Sequence, residues 1–200
     1  MDDRRRARRG RFQTGMGTMS RLRIFAETET TPLLDTSDPV TIAQELAMRG
    51  VRFERWPLRA LAADADQEAV LAAFAPEVER LKGEAGYRAV DVIRMAPDHP
   101  EKQALRGKFL SEHRHAEDEV RFFVEGEGLF TLHLNNRVYA VLCTEGDLIS
   151  VPAGTPHWFD MGPSPRFTAI RLFINPDGWI AHFTGDAIAD RFPRHDPVAA

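Results

Sequence analysis

Residues 107–126 read GKFLSEHRHAEDEVRFFVEG, and residues 145–160 read EGDLISVPAGTPHWFD. The first stretch carries His113, His115 and Glu119 between Gly107 and Gly126. The second delivers His157 behind a Pro-Ala-Gly turn. A β-strand points alternate side chains to opposite faces. His113 and His115 therefore share a face if the segment is extended, and Glu119 joins them if the strand stays regular. This period-2 device differs from the i, i+4 spacing of a helical HExxH site. His157 has to come from another strand laid alongside. Imidazole and carboxylate together suit first-row ions such as Fe, Ni, Co, Zn and Mn. Four such ligands leave two positions of an octahedral ion open, which points to catalysis rather than structure. The other histidines lack this spacing. His133 in FTLHL reads as a satisfied core or surface residue, His99 sits beside prolines in a loop, and His182 and His195 read as structural or solvent-exposed.

Two hundred residues suit one domain with a core of ordinary size. With 43% hydrophobic and 28% charged residues the composition is globular. No apolar run approaches membrane-spanning length. The one cysteine, Cys143, lies in the apolar run YAVLC; it reads as a buried strand residue and fits a reducing cytoplasm. The net charge of −4 disfavours general nucleic-acid binding. Residues 1–18 are the exception: six arginines against two aspartates make a local +4, which leaves −8 for the remainder. No apolar segment follows, so this is no secretory signal. The expectation is a flexible basic tail over 1–18 ahead of a single domain over 19–200, or translation that starts at Met16 or Met19 rather than Met1.

Leu22–Ala26 reads as a strand. Asp38 and Pro39 read as the N-cap and first residue of a helix that Gly50 ends. Val51–Trp56 alternates as a strand. A helical stripe follows from about Asp66 to Lys82, split or kinked at Pro76. From Tyr87 onward the pattern is mostly strands, with a helical turn around Glu101–Arg106. Asn135-Asn136 fits a two-residue hairpin, because Asn tolerates positive φ. Many short strands with turn signals imply a sandwich or barrel behind a helical N-terminal third. The glycines at 126 and 128 join two strands and lead to no helix, so they are not a phosphate loop. No Ser-His-Asp or Cys-His arrangement is visible from spacing.

The two opening segments resemble the two cupin motifs. Gly107, His113, His115, Glu119 and Gly126 fit the first; Gly146, Pro152, Gly154 and His157 fit the second, with Met161 where the family usually has Asn. The resemblance implies a mainly β fold, a double-stranded β-helix or jelly-roll barrel, here with accessory N-terminal helices. A cupin fold alone does not decide the reaction. The stretch HRHAEDEVRFFVEGEG, with PAGTPHWFDMG and AIRLF, is similar to the acireductone dioxygenases of methionine salvage, over about Leu22 to Asp190.

That resemblance implies an oxidoreductase acting on 1,2-dihydroxy-3-keto-5-methylthiopentene and O2, with one Fe(II) or Ni(II) per chain on His113, His115, Glu119 and His157. The iron form would give formate and 4-methylthio-2-oxobutanoate; the nickel form would give methylthiopropionate, formate and CO. Arg121 and Arg171 match arginines that line the active site, and Phe109, Phe159 and Trp179 match aromatic positions around it. Phe109 and His113 share strand parity, as do Phe159 and His157. The implied protein is a cytoplasmic monomer without nucleic-acid or membrane partners. Two other readings stand beside it: a metal cupin of another activity, such as a sugar isomerase or different dioxygenase, and a non-enzymatic cupin ligand-binding module.

Overall fold

The computed structural model describes residues 19–175 and 180–196. Twelve strands in the described residues form two antiparallel sheets. In chain order they are β1 (Arg21–Ala26), β2 (Pro32–Thr36), β3 (Arg52–Arg55), β4 (Ala89–Met95), β5 (His113–Arg114), β6 (Glu119–Gly126), β7 (Gly128–Leu134), β8 (Arg137–Cys143), β9 (Asp147–Val151), β10 (His157–Asp160), β11 (Phe167–Phe173) and β12 (His182–Phe183). One sheet runs β12-β5-β10-β7-β8-β1-β2 and the other β3-β9-β6-β11-β4. The helices are α1 (Pro39–Ala47), α2 (Gln67–Ala73), α3 (Ala75–Ala85) and α4 (Lys102–Phe109). The mainly β barrel with accessory N-terminal helices is the architecture expected from the sequence.

Local chemistry explains the helix ends. The Asp38 carboxylate accepts the Thr41 N–H at 2.8 Å, with Pro39 in the first turn. Asp66 caps α2 in the same way through the Ala69 N–H. The long helical stripe breaks at Phe74, and Pro76 falls in the first turn of α3, where its missing N–H costs nothing. Asn135 and Asn136 both have positive φ, 52° and 60°, and turn β7 into β8 as expected. The strands β2 and β12 and the extension of α4 to Phe109 were not foreseen.

Three apolar layers hold the sheets. Leu22, Ile24, Phe130, Tyr139 and Val141 from one sheet meet Phe53, Phe123, Ile149, Phe167 and Ala169 from the other to fill the barrel. The outer face of the β6–β9–β11 sheet (Val120, Phe122, Leu148, Ile170) is covered by Val70, Phe74, Val78 and Leu81 of α2 and α3 and their junction. The outer face of the other sheet (Phe25, Leu129, Val138, Trp158) is covered by Ile188, Ala189 and Phe192. Several strands are thus buried on both faces. In β6 this splits the residues by parity: Val120 and Phe122 face the helices, while Phe123 faces the barrel interior.

Glycines permit two close approaches at the β6–β7 corner. Gly126 has φ 76°, and a Cβ there would overlap the Arg166 carbonyl. A Cβ on Gly128 would lie 2.6 Å from the Phe159 ring. Gly126→Ala is expected to destabilise the fold by at least about 1–3 kcal/mol from backbone strain alone. A denaturant midpoint equal to that of the unaltered protein would refute the close approach.

Candidate metal centre

His113, His115 and His157 converge in the barrel. Their candidate ligand nitrogens lie within 4.8 Å of one another, and all three residues are buried. β10 pairs directly with β5, placing His157 opposite His113, as a second strand laid alongside requires. Each Nδ1 meets a backbone carbonyl: His113 with Ser111 at 2.8 Å, His115 with Ile180 at 3.2 Å, His157 with Thr155 at 2.8 Å. A carbonyl can only accept, so each Nδ1 carries a proton and each Nε2 is the atom left to meet a metal; at His157 that Nε2 donates to the Glu119 carboxylate in the metal-free protein. The Nε2 atoms of His157 and His115 lie 2.8 and 3.5 Å from Glu119 Oε2. Metal-ligating histidines commonly have one ring nitrogen fixed by a carbonyl in this way, which leaves the other to a ligand.

The route of the chain differs from the regular strand expected over 113–119. β5 ends at Arg114, and β6 begins at Glu119 in the other sheet. The chain crosses between sheets over residues 115–118. Gly154 N–H donates to the His115 carbonyl, and Asp118 accepts from Ala153 N–H at 2.9 Å and from the Tyr87 hydroxyl at 3.3 Å. These bonds tie the crossing to the Pro-Ala-Gly turn before His157. Glu119 therefore joins the histidines by facing them across the barrel, not by sharing their strand.

Glu119 and Arg121 do share a strand face. Arg121 Nη2 donates to Glu119 Oε1 at 2.7 Å, and both side chains are buried. Burial pushes the Glu119 carboxyl upward, but Arg121 first and then His157 hold it well below the usual range. The Arg121 guanidinium lies 4.4 Å from the Phe159 ring centroid and 5.1 Å from that of Phe130. Arg171 is in register with Arg121 across β6 and β11. Its like charge is balanced by Asp91 on β4, which accepts two bonds from it at 2.8 and 2.6 Å.

A cavity beside the cluster is lined by Ile93, Met95, Leu105, Phe109, Phe159, Met161 and Phe167, together with His113, His115, Glu119, Arg121 and Arg171. Phe109 closes α4 rather than lying on a strand, so its expected parity with His113 is wrong; its ring still sits 5.8 Å from that of His113. Arg106 seats α4 by two bonds to buried Asp160 on β10, at 2.7 and 2.9 Å. Phe159 lies on the same face of β10 as His157, as expected. Trp179 lies outside the described residues, as do 1–18. Cys143 is fully buried, and burial pushes its thiol pKa well up. His133 is satisfied by Glu112 and Glu27, His182 is exposed, and His195 contacts Asp160 and Glu127. Sequence reasoning missed Asp91, Glu112 and the three carbonyls. A backbone acceptor has no residue-type signature.

The ARD/ARD′ family matches residues 21–181. The chain belongs to that family. Acireductone dioxygenase from Parasynechococcus marenigrum is 59% identical over 186 residues, covering 89% of this chain and all of the relative. That of an Enterobacter species is 60% identical over 178 residues, covering 88% and 99%. A solved structure of acireductone dioxygenase from Bacillus anthracis, with cadmium ion in its active center, superposes with a TM-score of 0.72 at 31% identity, covering 82% of this chain and 98% of that one. The family accounts for the cupin barrel and for an enzyme: a metal-dependent dioxygenase that acts on acireductone and O2 in methionine salvage. The readings as a metal cupin of another activity and as a binding module give way to it. Among the described residues no helix is long and apolar enough to cross a membrane.

Burial makes a pH prediction. Burial first, and the neighbouring His157 next, push the His113 pKa down to about 4, and burial lowers that of His115. Unfolded histidine titrates at about 6.5. The unfolded chain therefore takes up the protons first, and the metal-free fold loses stability as pH falls from about 6.5 towards about 4. Urea midpoints measured across that window check this. A flat profile would contradict it.

Proposed function

We propose that His113, His115, Glu119 and His157 hold one Fe(II) or Ni(II) per chain and that the cavity beside them binds acireductone. The observation that carries this is the pinning of all three Nδ1 atoms to backbone carbonyls around a buried carboxylate. An ion bound there supplies charge stabilisation to an enediolate and lowers the pKa of its hydroxyl. Arg121 and Arg171 hold the anionic oxygens by charge-assisted hydrogen bonds; a guanidinium keeps its charge at any working pH. Glu119 and Asp91 orient the two guanidinium groups, and Phe159 supports that of Arg121 from below. Phe109, Phe159, Ile93 and Met95 exclude water and accept the methylthio tail.

The donor set suits both metals. We assign formate and 4-methylthio-2-oxobutanoate to the iron form, and methylthiopropionate, formate and CO to the nickel form. Residues 19–200 act as one catalytic unit, with 1–18 as a dispensable basic tail. The protein works as a cytoplasmic monomer without nucleic-acid partners.

The decisive experiment is aerobic turnover of acireductone by metal-free protein reloaded separately with Fe(II) and Ni(II). Oxygen uptake with two product sets is expected; one product set from both metals would refute the dual assignment. Two substitutions separate holding from reacting. His157→Ala is expected to lose most bound metal after dialysis, and full metal content would remove it from the ligand set. Arg121→Lys keeps the charge beside Glu119 but not the planar fork, so metal content should hold while kcat drops by about 10²-fold. Unchanged kinetics would take Arg121 out of the mechanism.

A further inference from the structure

Glu112 directly precedes the first histidine of the cluster, yet its contacts lie elsewhere. Its side chain is 3% exposed. Oε1 accepts from the Thr184 hydroxyl at 2.8 Å, and Oε2 meets His133 Nδ1 at 2.8 Å. Its backbone carbonyl accepts the Thr184 N–H at 3.1 Å. Thr184 follows β12, the two-residue strand that pairs with β5 through His182 opposite Arg114 and Phe183 opposite His113. So short a strand has few ladder bonds, and its neighbours bring little apolar burial: Ile180 is 61% and Phe183 55% exposed. The same segment nevertheless supplies the Ile180 carbonyl that holds His115 Nδ1.

We propose that Glu112 is a positioning residue for His115: by latching Thr184 it seats the segment that places the Ile180 carbonyl on the imidazole. The proposal rests on the metal-centre reading. Without that acceptor nothing in the Ile180 segment fixes the Nδ1 proton of His115, and the proton can move to Nε2, where a ligand needs a lone pair. Replacing Glu112 would also strip His133 of its partner, so the latch is better opened from the Thr184 side, at an exposed residue, where Glu112 Oε2 keeps its contact with His133.

The test uses Co(II) alone as probe, on full-length protein and on Thr184→Val and Thr184→Ser. Release to a chelator is timed, the visible cobalt bands are recorded, and thermal unfolding of each metal-free protein is measured. Thr184→Val is expected to release Co(II) about 10-fold faster, the lower end of the effect of losing an outer hydrogen bond to a metal site, with shifted cobalt bands. Thr184→Ser restores the hydroxyl and should match the unaltered protein in release, bands and unfolding temperature, whereas Thr184→Val leaves Glu112 Oε1 without its hydroxyl and should unfold slightly lower. Unaltered release and bands in Thr184→Val would overturn the proposal alone. So would equal acceleration in Thr184→Ser, or faster release from Thr184→Val with the cobalt bands unchanged. Unaltered protein that binds no Co(II) would overturn the metal-centre reading and the latch together.

Discussion

A negative charge inside an apolar barrel is the constraint on which the rest depends. Glu119 is 4% exposed, and an unpaired carboxylate there would not stay ionised. Arg121, two residues on, keeps it charged through Oε1, and His157 and His115 stand on the other side, within reach of Oε2. The arginine then needs its own support, which comes from the Phe159 and Phe130 rings. Arg171 opposite adds a like charge that Asp91 balances. The result is two acid–base pairs, Asp91 with Arg171 and Glu119 with Arg121, laid across β4, β11 and β6 with the two arginines side by side. The buried half of that row, Glu119 with Arg121, is stable in a dry interior only because each has its partner.

Much of this was legible in the sequence for a plain reason. Histidine, glutamate and arginine are conspicuous in an apolar strand region, and spacing carries information about facing. His157 on a strand beside His113, Phe159 sharing its face, and Arg121 sharing that of Glu119 all followed from period 2. The parity argument for Glu119 reached the right group by the wrong route. It assumed one strand, whereas the chain changes sheets between Arg114 and Glu119. Only the bonds of Asp118 and of Gly154, from tertiary packing, fix that crossing. Phe109 failed similarly: α4 runs through it, because Arg106 anchors the helix to Asp160 on a strand 54 residues away in the chain.

The outer groups were harder to read than the inner ones. What orients the three imidazoles is the main chain of Ser111, Thr155 and Ile180, and a carbonyl is present at every position. Glu112 and Asp91 look like ordinary surface acids until their partners are known. Binary pattern does locate the barrel interior, yet the helices and the C-terminal segment bury the outer strand faces as well. Alternation therefore fades in β6 and β9, where apolar residues on one face back the charged ones on the other.

Gly128 couples two walls that are far apart in function. Its missing side chain lets the Phe159 ring approach to where a Cβ would stand, and that ring carries the Arg121 guanidinium. A methyl group added at the corner would therefore reach a charge on another strand through an aromatic ring. Divergence at positions 128 and 159 is consequently not independent. A chain that gains a side chain at the first can keep its guanidinium in place only by trimming the second, so the two sites should drift as a pair.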